Sequence, residues 1–404
     1  MTKQLLLLGA ALAHVNLLAH LGQHPLPGVQ VTLITPHPRL ISKDMLAGFV
    51  AGQHALDDCV IPLEPLVQRS AVRWRATRAV ALDAPARAVL LDDGSELHFD
   101  WLSINNEPLQ DRDAVERAIP GARKNGLFVH PVEAFCALWP SVPELAATRA
   151  MRVAVIGGGV AVGDAGRSAG GGNDLSGGVS HDARPGASNG AWLAIELAMA
   201  VRQRLPGAAV TLITGGAPVA ACESAAVQRR IAQALRRRNV TVLADSATGI
   251  QAGEVLLGSG ARLACDVPIM ATEPCAPAWL ADSGLALDAH GFIAVDACQR
   301  ATRHANVFAT GPVAAQVDRH GGYVASAARA ASTLAASLAS VMAGLTPAVH
   351  QPSTLQMHLH TLRLLSCGDG HAIASWDGYG AEGRWVGWLK RSMDRRLIAK
   401  YRGL

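Results

Sequence analysis

The chain contains one local pattern twice: an apolar run that ends in glycine, followed by a helical segment and a second apolar run. The first copy spans residues 5–35 and has its glycine at Gly9. The second copy spans residues 153–214 and has its glycine at Gly157. This spacing predicts two βαβ units with parallel strands. Because the glycine turn of such a unit receives the diphosphate of a dinucleotide, we expect two dinucleotide sites.

The composition is that of a folded globular protein and excludes several function classes. Half of the 404 residues are hydrophobic and 17% are charged, which is unlike a disordered chain. The net charge of +4 and the absence of a basic run interleaved with aromatic residues argue against nucleic-acid binding. The seven cysteines are scattered and form no C-x-x-C pair. We therefore expect neither a disulfide framework nor a redox-active dithiol, and a reducing, cytoplasmic location.

The start of the chain allows two interpretations. Lys3 followed by the apolar residues 5–13 is also the pattern of a short signal peptide. The glycine within this run, the helical pattern after it and the matching second run favour the first strand of a βαβ unit. No segment combines the length and the apolar character of a membrane span, and residues 323–345, which include Arg329, are predicted to form a buried helix.

These patterns predict an α/β protein with two Rossmann-like domains, each a three-layer ββα arrangement, and a small C-terminal module. Residues 1–112 and 286–345 are expected to form the first domain, and residues 113–285 the second. Residues 346–404 are expected to form the C-terminal module, which ends in a basic amphipathic helix. Within the first domain, the alternating pattern of residues 79–102 predicts a β-meander.

A glycine-rich segment interrupts the second βαβ unit between its glycine turn and its helix. Nine of the 29 residues in the range 162–190 are glycine, and the segment has no hydrophobic periodicity. This composition predicts a flexible loop. A tolerated insertion is favoured over a lid that closes on a ligand.

Several short motifs, in this order and spacing, resemble the FAD-dependent pyridine nucleotide-disulfide oxidoreductase superfamily. The resemblance covers nearly the whole chain and is closest to the NADH-dehydrogenase-like branch, including the proteins found fused to selenide-water dikinase. Each motif alone is weak, but their sequence along the chain is specific for the fold. The motifs are Leu8-Gly9 with Ala13-His14-Val15, Met45-Leu46-Ala47-Gly48, the segments 291–296 and 306–311, and a tail with Gly368-Asp369-Gly370 and residues 384–386.

The resemblance implies FAD in the first domain and NAD(P)H in the second. It also implies hydride transfer from the nicotinamide to the flavin, and electron transfer from there to a small acceptor such as a quinone. Glu196, early in the helix of the second unit, is the candidate catalytic residue, near the meeting point of the two cofactors. The candidate cofactor-binding residues are Gly9, Ala11, His14, Thr35, Arg39, Gly157, Gly159, Gly311 and Pro312.

The sequence departs from the family pattern at residues that would contact the cofactors. Ala11 replaces a glycine, and Pro312 replaces an aspartate that contacts the flavin. Glu273 occupies a glycine position, and residues 105–108 replace a run of small residues. The insertion also leaves the third small residue of the second fingerprint to be supplied by Gly190 or Ala194. Three functions therefore stay open: an active flavoprotein with an altered site, an inactive relative that serves as a binding or regulatory subunit, or an oxidase that binds FAD alone because its NAD domain is inactive.

The C-terminal segment predicts a contact surface. Between Gly383 and Leu404, seven Lys or Arg residues accompany apolar residues at every fourth position, namely Trp385, Leu389, Met393, Leu397 and Tyr401. This pattern predicts a helix that lies on a membrane surface or, as the alternative, packs on its own protein. The location would then be cytoplasmic and peripheral at the inner face of the cell membrane, and a homodimer or a flavoprotein partner is a further expectation.

The chain has 15 histidines, of which four lie near the C-terminus: His350, His358, His360 and His371. No cysteine or acid at ligand spacing completes a metal-binding set around them. We therefore expect surface or interface histidines and no metal site.

Overall fold

The computed structural model describes residues 2–107, 109–158, 187–273, 275–316, 327–342, 362–376 and 378–403. Gly159, most of the predicted insertion, and the histidines at 350, 358 and 360 lie outside these residues. The described strands are β1 Lys3–Leu8, β2 Val29–Ile34, β3 Arg39–Ile41, β4 Val60–Pro62, β5 Arg73–Arg75, β6 Ala79–Asp83, β7 Ala88–Leu91, β8 Glu96–His98, β9 Trp101–Ile104, β10 Leu127–Phe128, β11 Arg152–Ile156, β12 Ala209–Ile213, β13 Val240–Leu243, β14 Ala247–Gln251, β15 Glu254–Leu257, β16 Arg262–Ala264, β17 Val267–Met270, β18 Ile293–Val295, β19 Val307–Ala309, β20 Ala314–Gln316, β21 Arg363–Ser366, β22 Ala372–Trp376 and β23 Tyr379–Gly383.

The described α-helices are α1 Leu12–Gln23, α2 Leu46–Val50, α3 Glu64–Ser70, α4 Arg112–Ala118, α5 Ala122–Asn125, α6 Val132–Leu138, α7 Ser141–Ala146, α8 Ala187–Arg204, α9 Ala225–Arg237, α10 Ala327–Met342 and α11 Arg384–Arg402. Helix α8 begins inside the segment that composition assigned to a flexible loop. Residues 187–190 therefore belong to the helix, because a run rich in Ala continues without interruption into the apolar residues after it.

Two five-stranded parallel sheets organise the molecule, as the sequence predicts. The first sheet has the order β19-β9-β1-β2-β5, and the second has the order β10-β17-β11-β12-β13. In each sheet the strand before the glycine turn, β1 or β11, lies at the centre. The strands that follow directly, β2 and β5 or β12 and β13, lie on one side of this strand. On its other side lie β9 and β19 in the first sheet, and β17 and β10 in the second.

Each sheet is the middle of three layers because both faces of its central strand are apolar. Leu5 and Leu7 of β1 pack among the helices, whereas Leu6 and Leu8 pack against the β6–β8 meander. In β11, Val153 and Val155 face the helices while the alternate residues face the β14–β16 meander. The three-layer ββα prediction is therefore confirmed, and continuous apolar runs are what a doubly covered parallel strand requires.

The C-terminal module consists of the antiparallel sheet β21-β22-β23 and helix α11. It contacts both parallel-sheet units. Arg238, just after α9, forms an ion pair with Asp369 of the module at 2.6 Å. On the other side, Lys390 of α11 donates a hydrogen bond to the carbonyl oxygen of Asp44 at 2.6 Å.

Only the C-terminal part of the apolar stripe predicted for α11 packs on the protein, through Leu397 and Tyr401. The buried residues of the helix are Val386, Gly387, Lys390, Ile398 and Tyr401. Trp385 and Met393 from the predicted stripe are exposed, as is Trp388 beside it, with 61%, 47% and 64% of their surfaces accessible in that order. Gly387 explains the packed face, since a side chain there would collide with the Gly370 carbonyl oxygen. Within the described ranges, none of the helices combines the length and apolar character needed to cross a bilayer.

Candidate functional site

The first candidate crevice lies where the connectivity of the first sheet reverses. From β1 the chain runs to β2 and β5 on one side, and β9 and β19 lie on the other side. Ligands of open α/β sheets bind at such a switch point, outside the carboxyl ends of the strands. We call this place the first crevice; its walls are the segments that follow β1, β9 and β19, namely residues 9–13, 105–107 and 310–312.

Asn105 joins the three walls of the first crevice. Its backbone N–H donates to the Leu8 carbonyl oxygen at 2.8 Å, and its own carbonyl accepts from the Ala11 N–H at 3.2 Å. Its side-chain amide donates to the Thr310 carbonyl oxygen at 2.8 Å, while Oδ1 accepts from the His14 N–H at 3.2 Å. Asn105 is buried, so these bonds fix the spacing of three strand ends.

The turn after β1 requires glycine at position 9. Gly9 has φ +82°, and a Cβ there would lie 2.5 Å from Asn106 Oδ1 and 2.6 Å from the Asn105 carbonyl oxygen. Any side chain at this position is therefore both strained and blocked. Ala11, which caps α1, has extended backbone angles, and its methyl group does not prevent the turn from forming.

The first crevice contains polar groups without partners. Among the described residues, the amides of Leu12 and Ala13 in the first turn of α1 have no hydrogen-bond acceptor. The Thr310 hydroxyl is buried and also has no partner in the part of the chain that the structure describes. Free amides at a helix N-terminus attract anions, because they donate hydrogen bonds and carry the positive end of the helix dipole. The crevice thus fits the diphosphate of a dinucleotide.

His14 holds the turn together and is inaccessible to a ligand. Its Nδ1 donates to the Gly9 carbonyl oxygen at 2.7 Å, so Nε2 accepts from the Ser103 hydroxyl at 2.8 Å. The side chain is fully buried, and burial lowers the pKa of His14 to about 4. A neutral ring that bridges β9 and the turn is a positioning group.

The remaining predicted residues of the first site lie on separate elements around the crevice. Thr35 follows β2 and is buried; its carbonyl accepts from Trp74 Nε1 at 3.0 Å. Arg39 in β3 forms an ion pair with Glu133 of α6. Gly311, with φ +72°, begins a short 3-10 helix in which Pro312 follows, and a Cβ on Gly311 would lie 2.6 Å from Asn105 Nδ2. Pro312 offers the crevice neither a carboxylate nor an amide donor.

A charged cluster adjoins the first crevice at the junction of the two sheets. It consists of Arg39, Lys43, Glu107, His130 and Glu133. Glu107 is partly buried, and burial, reinforced by the negative charge of Glu133, raises the pKa of Glu107 to about 7. Burial lowers the pKa of His130 to about 4, and its buried Nδ1 has no hydrogen-bond partner. The cluster therefore holds a shielded carboxyl group and a neutral imidazole close to two cations.

Gln110 fixes the segments that cross between the two sheets. Its side-chain amide donates to the carbonyl oxygen of Met270 at 2.9 Å and to the hydroxyl of Thr272 at 2.8 Å. Its side-chain oxygen accepts from the His130 N–H at 2.9 Å. Residues 105–110, which carry Glu107, are consequently held at both ends.

The second candidate crevice lies at the switch point between β11 and β17. A Cβ on Gly157 would lie 2.6 Å from the Cβ of Ala194 in α8, so this glycine permits close packing of helix on strand. A Cβ on Gly190 would lie 2.9 Å from Glu273 Cγ. Gly190 and Ala194, the two candidates for the third small residue, therefore contact different partners: Glu273 and Gly157. Glu273 follows β17 and places a carboxyl group beside α8, where it would repel a diphosphate unless neutralised or turned away.

Glu196 lies where α8, α2 and the C-terminal module meet. Its Oε1 accepts from the Ser366 N–H at 2.6 Å, and the side chain is buried. Burial raises the pKa of Glu196 to about 7, although the Lys390 ammonium acts in the opposite direction. Lys390 is itself buried and donates to Asp394 at 2.9 Å. A small, partly open cavity of about 20 Å³, room for one water molecule, lies beside Lys390 and Ser366. The catalytic role of Glu196 stays a prediction.

Sequence reasoning did not find several residues that build the site. Asn105 was noted only as a departure, yet it is the residue on which the strand ends converge. Thr310 lies in the motif of residues 306–311, but no role in the site was assigned to it. His130 and Lys390 matched no site motif, because their importance comes from burial and from segments distant in sequence. The only local signal was the position of Asn105 and Thr310 directly after apolar strands, where parallel strands bring their carboxyl ends together.

Comparisons with known proteins agree with this architecture. Residues 190–333 match the family model described as pyridine nucleotide-disulphide oxidoreductase. No curated protein sequence matches the chain. Among solved structures, the sulfide:quinone oxidoreductase of Aquifex aeolicus is similar with a TM-score of 0.72 and 17% identity, over 99% of this chain and 92% of that one.

Two further solved structures are similar over almost the same extent. NDH2 of Plasmodium falciparum, solved with NADH, has a TM-score of 0.66 and 12% identity, over 99% of this chain and 97% of its own. A ferredoxin reductase of Rhodopseudomonas palustris has a TM-score of 0.67 and 17% identity, over 92% of this chain and 81% of its own. The chain has the fold of these reductases, and its residues 190–333 are similar to the pyridine nucleotide-disulphide oxidoreductase family.

Proposed function

We propose that the protein is a flavin-dependent oxidoreductase. In this proposal FAD binds in the first crevice and NAD(P)H in the second. Hydride passes from the nicotinamide to the flavin, and a small molecule, with quinones as the expected class, accepts the electrons. The family match and the similar reductases support the general oxidoreductase activity. The assignment of the acceptor rests on the sequence resemblance and on the exposed face of α11.

The observation that carries this proposal is the set of unpartnered donors in the first crevice. The amides of Leu12 and Ala13 point to an anionic ligand, because unsatisfied amides at the partly buried start of a helix are costly without one. The buried Thr310 hydroxyl adds a third group without a partner among the described residues. A dinucleotide diphosphate is the ligand that a βαβ switch point of this geometry accommodates.

The proposed roles of the residues follow from their positions. The turn at Gly9 and Ala11 would present the amides to the FAD diphosphate, and His14 would hold the turn. Thr35, Arg39, Gly311 and Pro312 would border the rest of the flavin dinucleotide. Gly157 would let α8 approach the NAD(P)H diphosphate, with Gly159 as the proposed neighbour. When bound, the flavin supplies the chemistry of accepting a hydride and releasing electrons.

Glu196 is proposed to hold a proton for this reaction. Its carboxyl group is buried at the junction, and its pKa of about 7 allows it to bind or release a proton near neutral pH. The Ser366 N–H holds one carboxyl oxygen in place, and the nearby Lys390 stabilises the ionised form. Reduction of a quinone-type acceptor consumes protons, and the Glu196 carboxyl group would supply one of them.

A second candidate function is a catalytically inactive relative that binds or regulates a flavoprotein. Pro312 favours it, because proline removes a donor at the end of β19. Glu273 favours it as well, because an acidic residue, in place of the small one that the resemblance implies, lies against Gly190 through its backbone and Cγ. This candidate predicts a colourless protein that co-purifies with a flavoprotein and does not oxidise NADH by itself.

An absorbance spectrum of the purified protein separates the two candidates. The oxidoreductase proposal predicts a yellow protein, or one that becomes yellow at a 1:1 ratio with added FAD, and flavin bleaching when NADH or NADPH is added. The variants Pro312→Asp and Ala11→Gly should raise the flavin content if these residues limit binding. A folded protein that stays colourless with excess FAD, in wild type and in both variants, would overturn the oxidoreductase proposal.

We further propose that α11 contacts the cytoplasmic face of the membrane as a peripheral element. Trp385 and Trp388 are exposed on this helix, and basic residues flank them, including the exposed Arg384 and Arg395. Aromatic and basic side chains on one exposed helix face favour the membrane interface. The packed face of α11 stays on the protein, so only its outer face would be available to lipid.

A further inference from the structure

Glu107 is the third residue after β9 and lies at the first crevice. The residue two positions before it, Asn105, is fixed by four hydrogen bonds to the crevice walls. The side chain of Asn106 lies over the Gly9 turn, since the position of a Cβ on Gly9 is 2.5 Å from Asn106 Oδ1. Gln110 anchors the other end of the segment. Glu107 is therefore held where the chain leaves the switch point.

The carboxyl group of Glu107 has no partner among the described residues. No hydrogen bond or ion pair reaches it, although it is partly buried. Glu133 of α6 is the nearest carboxylate that acts on it, and Arg39 is paired with Glu133. Lys43 attracts it only from beyond ion-pair distance. A shielded carboxylate without a bonded cation is costly, so the neutral form is favoured.

We propose that Glu107, in its neutral form, donates a hydrogen bond to the diphosphate of the dinucleotide in the first crevice, so that binding takes up one proton above neutral pH. This inference rests on the proposed function, because it requires a dinucleotide in that crevice. A neutral carboxyl group removes the repulsion that a glutamate at this position would otherwise exert on a diphosphate. It also replaces a donor that Pro312 does not provide.

Glu107 has a pKa near neutral pH, unlike the two histidines nearby. The pKa values of His130 and of His14 lie at about 4, so both rings stay neutral. The other charged groups around Glu107 are Lys43 on its short helix, Glu133 of α6 and Arg39, which is ion-paired with Glu133. Burial raises the pKa of Glu107 to about 7, which places the change between pH 6 and 9. The diphosphate of FAD carries the same charge throughout this range.

Calorimetric titration of FAD into the flavin-free protein tests the inference. Wild type, Glu107→Gln and the exposed control Glu144→Gln are compared at pH 6, 7, 8 and 9. Each titration is run in two buffers of different ionisation enthalpy, which gives the number of protons taken up. Glutamine retains a hydrogen-bond donor and carries no charge, so it imitates neutral Glu107. Because Glu196 also titrates near pH 7, Glu196→Gln is included to separate its contribution.

The expected result is an affinity of wild type that falls by about fivefold between pH 7 and pH 8 and by about tenfold between pH 8 and pH 9, with uptake of close to one proton at pH 8. Glu144→Gln and Glu196→Gln should show the same fall. Glu107→Gln should bind FAD equally well at every pH and take up no proton.

If the FAD affinity of Glu107→Gln still depends on pH, the inference is overturned while FAD binding itself stands. The same holds if the affinity of wild type does not depend on pH. Failure of folded wild type and Glu107→Gln to bind FAD even at pH 6 would overturn the proposed function, and the inference with it. Circular dichroism of each variant establishes that it is folded.

Discussion

The Asn105 side-chain amide donates to the Thr310 carbonyl oxygen at 2.8 Å, which joins the ends of β9 and β19 across a sequence distance of 205 residues. Asn105→Ala would remove the side-chain bond to the Thr310 carbonyl and one of the two acceptors of the His14 N–H, which keeps the Ala11 carbonyl at 3.0 Å, in a buried place. We expect the free energy of unfolding in urea to fall by about 2–4 kcal/mol. Asn306→Ala, which removes one bond of 3.2 Å at a partly buried side chain, is the control and should cost below about 1.5 kcal/mol. Equal costs for the two variants would contradict this role of Asn105.

The two βαβ units and their parallel strands were predictable from sequence, whereas the function of Asn105 was not. The apolar residues of β1 and β11 and the glycines after them fix a parallel, doubly covered strand with a turn. The bonds of Asn105 depend on three segments that are far apart in the chain. No local pattern contains them.

The register of α11 shows another limit. The sequence placed Trp385 and Met393 on one apolar stripe with Tyr401, because apolar residues recur at every fourth position, and left open whether the stripe faces a membrane or the protein. In the structure the packed face is chosen by the contact of Gly387 with the Gly370 carbonyl, which brings Val386 and Lys390 inward. Periodicity finds an amphipathic helix but cannot choose between two neighbouring faces when aromatic residues lie on both.

The buried His14 predicts a loss of stability in mild acid. Its pKa is about 4 in the folded protein and 6.5 in an exposed histidine, so the unfolded state takes up a proton first as the pH falls. The stabilisation is therefore complete above pH 6.5 and is lost as the pH falls to 4, by up to about 3 kcal/mol. In His14→Asn the free energy of unfolding should depend less steeply on pH in this range, with His130 still contributing. An unchanged slope would contradict the assignment, and the exposed His98→Gln should leave the slope as it is.

The buried Glu196 predicts a loss of stability as the pH rises towards neutral. Its folded pKa of about 7 lies above the 4.5 of an exposed glutamate, so the folded state holds the proton longer. Stability is therefore lost as the pH rises from 4.5 to 7, by up to about 3 kcal/mol. Glu196→Gln should be more stable than wild type at pH 8 and similar to it at pH 4.5, as measured by urea unfolding. A variant that is less stable than wild type at pH 8 would show that Lys390 and the Ser366 N–H outweigh the cost of burial.

The exposed tryptophans of α11 predict membrane contact without a role in folding. Trp385→Ala combined with Trp388→Ala should leave the melting temperature within about 2 °C, since both side chains are more than half exposed. The same double variant should float with anionic phosphatidylglycerol vesicles at least about tenfold less well than wild type. Leu138→Ala, an exposed apolar side chain on α6, is the control and should bind as wild type does. Equal flotation of the double variant and wild type would remove α11 as the membrane contact.

The free amide of Leu12 allows the central claim to be tested with little change to the fold. Leu12 is the first residue of α1, a position where proline is tolerated, and Ala11 before it already has the extended backbone that a following proline requires. Leu12→Pro removes an N–H that has no partner within the described residues, while Leu12→Ala keeps it and controls for the loss of the side chain.

The most direct measurement is the dissociation constant of FAD at pH 6 for Leu12→Pro and Leu12→Ala. If this amide binds the diphosphate, Leu12→Pro should bind FAD about tenfold to a hundredfold more weakly than Leu12→Ala, the effect of one hydrogen bond to a charged group. Equal binding of FAD by the two folded variants would contradict the account of the first crevice as a flavin site. So would the failure of both variants and of wild type to bind FAD.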